Sequence, residues 1–332
     1  MATETLTPGP SPASGRGEQL LPSPTPVGEG PGVRARPGRW LRGWGRRTVI
    51  GVPYLFLVLF FSAPFLVVLK ISVSDMEGIH FKDLLTWTDG TLTLQLKFNT
   101  YQFLVSDPVY ILTYLESIGF AALNTLICLA IGYPFAYFMA RSPAAWRPAL
   151  LMLVSLPFWT SYLLRVYAWK GLLDDDGVVN NLLLWLHVID SPIKMMHTAF
   201  SMMVGMVYTY LPFMILPLYA NLVKMDTRLL EAAADLGSTP LRTFWLVTVP
   251  LSWSGIIAGS MLVFIPSIGE YVIPELLGGA TTLMIGRVLW DEFFRNFDWA
   301  MASAVAVSMV GLILLPLAIF NHYQTRVSGE ES

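Results

Sequence analysis

The sequence predicts an all-α integral membrane protein with six transmembrane helices. Its residues are 54% hydrophobic and only 13% charged, whereas soluble domains carry about 25% charged residues. The few charges avoid six long apolar runs, as they must where the solvent is hydrocarbon. Each run reaches the length of about 20 apolar residues that a helix needs to cross a bilayer core.

Residues 1–46 are rich in Pro, Gly and Ser and poor in large aliphatics, which predicts a disordered tail. The tail ends in a basic cluster of Arg34, Arg36, Arg39, Arg42, Arg46 and Arg47. The pair Arg46-Arg47 is not an export signal: the apolar run after it is too long for a signal core and no A-x-A cleavage site follows. It reads instead as an anchor for span 1, at 48–70. Residues 47–112 hold that span and a long loop. Spans 2 to 6 are expected near 113–140, 148–169, 196–222, 252–273 and 300–321, within a core of 113–321 followed by a tail of 322–332. Prolines 53, 64, 134, 157, 212 and 217 lie inside the runs; membrane helices tolerate them because neighbours re-satisfy the freed carbonyls.

Lys and Arg set the orientation. The amino-terminal tail, the 2–3 loop (Arg141, Arg147), the 4–5 loop (Lys224, Arg228, Arg242) and the carboxyl-terminal tail (Arg326) carry most of the cations, so both termini are expected in the cytoplasm. The opposite face takes the loops 71–112, 170–195 and 274–299 and most acids, including Asp174-Asp175-Asp176. Cys128, the one cysteine, rules out an intramolecular disulfide and reads as a small core residue. A net charge of −2 gives no reason to expect nucleic acid.

The cytoplasmic loop at 223–250 contains "EAAADLGSTPLRTFWLVTVP", Glu231 to Pro250. Glu231-Ala232-Ala233-Ala234 favours helix. Gly237 suits the residue just past its end. Ser238 or Thr239 can cap a second helix with Pro240 at its first position, and Phe244, Trp245 and Leu246 can hold that helix to the membrane face. The pattern predicts two short helices at a sharp angle: a lever docked in a soluble partner, or an interfacial connector. Asp235 and Arg242 flank the turn and can bond to that partner or to each other.

This stretch resembles the EAA motif of importer-type ABC permeases: Glu231-Ala232-Ala233, three residues, Gly237, nine residues, then Val247-Thr248-Val249-Pro250, with Val in place of the family's Ile and Leu. "LPFWTSYLLRVYAWKGLL", "GEYVIPELLGG", "MIGRVLWDEFF" and "DWAMASAVAV" extend the likeness, from about residue 46 to the end, to permeases of bacterial putrescine and spermidine importers, most of all the putrescine type. The resemblance implies a type I ABC importer permease in the bacterial inner membrane, non-catalytic, with Glu231, Ala232, Ala233, Asp235, Gly237, Arg242 and Pro250 in the coupling loop. It implies as partners a second homologous permease, two ABC ATPases that use ATP and Mg, and an extracytoplasmic polyamine-binding protein, all in membrane lipid. No cofactor is expected on this chain. None of the six lysines follows a glycine and no H-E-x-x-H occurs, so the residues themselves exclude a Gly-Lys P-loop and that zinc motif.

A polyamine path needs carboxylates and aromatic faces. Glu270, beside Tyr271 near the outer end of span 5, is the leading anion, because a carboxylate at membrane depth is costly; it is otherwise a structural partner for Arg165. Trp159 and Tyr162 are cage aromatics or belt residues, Arg165 is a counter-charge or anchor, and Glu116 is a weaker acid. Gly255 and Gly259 form a G-x-x-x-G suited to helix packing. Other cargo (thiamine, an iron chelate, another organic cation) or an ion-gradient transporter are the alternatives, although no internal repeat of the kind such transporters show is evident.

Overall fold

The computed structural model describes residues 39–74, 76–77, 80–81, 85–88, 91–94, 98–280 and 282–329. The tail expected to be disordered lies outside the described residues up to position 38. The chain divides into two units, Met1–Leu59 and Phe60–Ser332.

The first unit contains helix α1 (Arg39–Leu57). It starts about nine residues before the expected span. Trp, Leu and Arg all tolerate helix, so the backbone continues outward from the apolar run. A π turn, Val58–Ser62, leads into α2 (Ala63–Ser72), and Thr48–Ser72 is long and apolar enough to cross a membrane.

In the second unit the loop after α2 carries two short antiparallel hairpins, β1 (Met76–Glu77) with β2 (His80–Phe81) and β3 (Leu85–Thr88) with β4 (Thr91–Leu94). Helix α3 (Asn99–Ser106) precedes α4 (Pro108–Arg141), which starts where the Asp107 carboxylate accepts the Val109 amide at 2.9 Å and Pro108 takes the first turn. Pro134 sits within α4 without ending it.

Span 3 is not the single helix expected. After α5 (Arg147–Ser155) the chain tightens into a 3₁₀ turn, Leu156–Trp159, and restarts as α6 (Tyr162–Leu173), followed by α7 (Val178–Trp185). The two halves meet at 89°. Pro157 donates no hydrogen bond and sits in the first turn of the 3₁₀ segment, and the bend itself falls at Thr160 and Ser161, whose backbone is extended.

Helix α8 (Ala199–Leu222) opens with a capping box, Thr198 and Ser201 each accepting the other's amide. Helices α9 (Arg228–Asp235) and α10 (Pro240–Thr243) form the expected pair. A π turn, Phe244–Thr248, and α11 (Val249–Leu251) lead to α12 (Trp253–Ile268), across a 68° bend at Ser252. Span 5 thus ends at Ile268, earlier than expected. Helices α13 (Val272–Leu276), α14 (Ile285–Phe294) and α15 (Trp299–Gly329) complete the chain.

Helices α4, α8 and α12 pack pairwise as the centre of the unit, and α15 packs on α2 and α14. The core is rich in methionine, with Met139, Met202, Met206 and Met214 fully buried, flexible side chains that fill irregular gaps. A methyl group at Gly255 would lie 2.8 Å from Asn221 Cβ, and one at Gly259 would lie 2.8 Å from Met214 Sδ. The G-x-x-x-G pair therefore lets α12 approach α8 closely. Cys128 is fully buried, its thiol near the Asn124 side-chain oxygen, while the Asn124 amide donates to Ser267 across α4 and α12.

Candidate functional site: a clamped carboxylate and an exposed elbow

Glu270 lies in the turn between α12 and α13 and is 9% exposed. Its Oε1 accepts the Tyr162 hydroxyl at 2.7 Å and the amides of Tyr271, Val272 and Ile273 at 3.2, 3.0 and 3.4 Å. Its Oε2 accepts the Tyr210 hydroxyl. One carboxylate thus joins α6, α8 and the start of α13. Hydrogen bonds to the charged form are what make a buried carboxylate tolerable. Among the described residues Oε1 takes four donors, whereas Oε2 takes one.

Backbone packing holds the turn in place. A Cβ at Gly286 would come within 2.5 Å of the Gly269 carbonyl oxygen and 2.7 Å of that of Glu270. The Gly278–Gly279 loop is equally tight, with no room for a Cβ at Gly279 beside the His197 carbonyl oxygen.

Arg165 is not the ion-pair partner of Glu270. Its guanidinium carbon sits 5.7 Å from the centre of the Tyr162 ring, and its Nε and Nη1 are buried without a hydrogen-bond partner. Tyr162 therefore stands between a cation on its face and an anion at its hydroxyl. Trp159, 86% exposed in the 3₁₀ turn, takes no part in the clamp. Glu116 is exposed on α4 and makes no hydrogen bond or ion pair among the described residues. Tyr271 stacks on Trp290 at 4.3 Å and 18°, and Trp290 meets Phe294 at 4.0 Å. Beside this stack Glu275 pairs with Arg287 at 2.8 Å and with Arg295 at 2.9 Å.

Tyr210 is the residue that sequence reasoning missed. A tyrosine inside an apolar span has no pattern that sets it apart. Only a three-dimensional meeting of α8 with the 269–271 turn reveals its role.

At the elbow Gly237 has φ +78. Its amide donates to the Ala234 carbonyl at 2.8 Å, and that of Ser238 to Ala233 at 3.0 Å, the paired bonds of a Schellman ending. Thr239 takes the cap position of α10 without a side-chain cap bond; Ser238 instead accepts the Thr243 hydroxyl at 3.0 Å. Phe244 packs edge-on against Tyr133 and Tyr137 of α4. Trp245 and Leu246, expected at the membrane face with it, are exposed. Glu231, Ala232, Asp235, Arg242 and Pro250 are exposed and Ala233 is half-buried. Asp235 and Arg242 do not pair with each other among the described residues. Leu236 and Leu241 are 90% and 70% exposed at the tip of the elbow.

Residues 132–329 match the family described as binding-protein-dependent transport system inner membrane component. The chain is 40% identical over 271 residues to the spermidine/putrescine transport system permease protein PotB of Escherichia coli, covering 81% of this chain and 93% of that one. It is 37% identical over 279 residues to the protein of that name from Haemophilus influenzae, covering 84% and 93%. Among solved structures, chains of a bacterial ABC transporter that imports the acidic polysaccharide alginate superpose with TM-scores of 0.63 and 0.65 at 16% identity, covering 86% of this chain. In the second of these the transporter is in complex with a periplasmic protein holding an alginate pentasaccharide. Apolar helices packed around an α4–α8–α12 centre, a family match over 132–329 and 40% identity over 81% of the chain place it in the binding-protein-dependent transport system inner membrane component family, as a non-catalytic permease subunit of an ABC importer.

Proposed function

We propose that this subunit forms half of a polyamine path and takes its motion from an ATPase through the 223–250 elbow. The observation that carries the cargo reading is the buried Glu270 carboxylate, held by the Tyr162 and Tyr210 hydroxyls, with one donor on Oε2 among the described residues. An ammonium group is a donor of the matching charge, and tyrosine rings add cation–π attraction. The 40% identity to a spermidine/putrescine permease points the same way.

In this reading a second, homologous permease supplies the other half of the lining, a binding protein delivers cargo at the outer mouth, and two ATPases use ATP and Mg below. Tyr162 and Tyr210 release Glu270 in turn as α6 and α8 tilt, so the carboxylate passes from hydroxyl donors to the cargo's ammonium. The elbow is the input. Exposed Leu236 and Leu241 seat in the ATPase surface, and the rigid Gly237 turn transmits displacement into α12.

The test is uptake of labelled putrescine and spermidine by cells lacking their own system. Glu270→Gln suits this because the side-chain oxygen can still accept the three amides and Tyr162, while Tyr210 turns to accept the new NH₂ group. The clamp survives and the charge goes. Uptake is expected to fall about tenfold or more, from the value of one charge-assisted hydrogen bond. Unchanged uptake would leave Glu270 as a tie between helices and reopen the choice of cargo.

A further inference from the structure

We infer that the chain carries a site for an anionic phospholipid of the cytoplasmic leaflet, in a groove between α4, α5 and α8. Two cavities adjoin there. One, of about 400 Å³, is lined by Phe138, Leu150, Leu153, Pro157, Tyr208 and Leu211 among other apolar side chains. The other, of about 440 Å³, lies at the end of α4 and is lined by Arg141, Ser142, Pro143 and Trp146 together with the same Phe138 and Leu150. Phe138 and Leu150 line both, so the two adjoin as one groove that is apolar along α5 and cationic at the end of α4.

Three features select a lipid as the occupant. The first is length. From Arg147 to Pro157 the α5 side rises roughly 15 Å at helical pitch, about half of the ~30 Å hydrocarbon core and so one leaflet. The second is charge. Arg141 has no hydrogen bond or carboxylate partner among the described residues and rests 5.3 Å from the centre of the Tyr137 ring. Its guanidinium therefore keeps its full set of donors for a phosphate. The neighbouring Arg147 is already committed, its Nε donating to the Ser142 carbonyl at 2.9 Å, which fixes the loop that shapes the mouth. The third is depth. Exposed Trp146 sits beside Arg141, the pairing of aromatic and cation found at the membrane interface, and the Lys and Arg distribution puts this mouth on the side where anionic lipids gather.

The experiment is native mass spectrometry of the intact transporter complex, loaded with phosphatidylglycerol or phosphatidylcholine of matched chains. Retention of phosphatidylglycerol is expected to exceed that of phosphatidylcholine by about fivefold, as for one surface cation. Arg141→Gln should abolish the preference, and Leu153→Trp should cut retention of both lipids. Glycerol phosphate without chains should not displace the bound lipid. Phosphatidylglycerol with a photoreactive acyl chain should crosslink, in the unmodified protein, to the peptide spanning 147–157. Equal retention of the two lipids, an unaltered preference in Arg141→Gln, displacement by glycerol phosphate alone, or crosslinks confined to other peptides would each overturn the site. So would a disulfide formed readily between Leu153→Cys and a cysteine in the sister permease, which would show a protein filling the groove.

Discussion

A methyl group has no room at position 286. Its nearest neighbours would be the backbone oxygens of Gly269 and Glu270, which cannot step aside as a flexible side chain does. Gly286→Ala must therefore push the turn that presents Glu270, moving the carboxylate away from Tyr162 and Tyr210. Overpacking of this kind costs about 1–3 kcal/mol. We expect a lower unfolding temperature and a loss of uptake in Gly286→Ala, checked by thermal-shift measurement on the purified complex and by transport in cells. Gly311 in α15 has open space around its Cβ position and serves as the control: its alanine variant should behave as the wild type. At this scale the sequence reveals identities rather than partners. Glu270 stood out because a carboxylate in an apolar run is conspicuous; Tyr210 did not, because an aromatic hydroxyl looks the same whether it faces lipid or an anion.

Among elements, the elbow was the most legible. Its helix propensity, its glycine and its proline are local signals, and the local structure obeys them. Span 3 was less so. Hydropathy treats 148–169 as uniform, and Pro157 resembles Pro134, Pro212 and Pro217, which leave their helices intact. Those three lie in helices packed at the centre of the unit. Pro157 instead lies in a 3₁₀ turn that exposes Trp159, and the bend follows it at Thr160 and Ser161, two residues with extended backbone that hydropathy does not mark. The 68° bend at Ser252 is buried and held from α4, with the Tyr133 hydroxyl bonded to Ser252 Oγ at 2.7 Å. That bond and the Phe244 ring fix the elbow's exit to α4. Gly237 sets its turn, because φ +78 suits glycine and costs other residues about 1–2 kcal/mol. Gly237→Asp is expected to insert normally, yet to lose cargo-stimulated ATPase activity in the reconstituted complex. Replacing 228–243 with a flexible Gly/Ser linker should have the same effect. Coupling that persists with the linker would reduce the elbow to a connector.

Across the whole molecule the energetic question is what drives transport. The chain belongs to a binding-protein-dependent transport family, and the proposed function takes its energy from ATP rather than from an ion gradient. In proteoliposomes holding both permeases and the ATPases, with the binding protein outside, putrescine entry is expected to require ATP and Mg on the elbow side. It should persist when ionophores collapse proton and sodium gradients. Removing Mg alone should stop entry within the time of one uptake assay, since the ATPase needs the metal to hold the phosphates, while binding of cargo to the binding protein stays unchanged. Uptake that follows the ion gradient and ignores ATP would instead assign the energy to a secondary transporter. Leu236 and Leu241 would then be exposed for some purpose other than an ATPase. The two outcomes differ in sign, so one preparation decides between them.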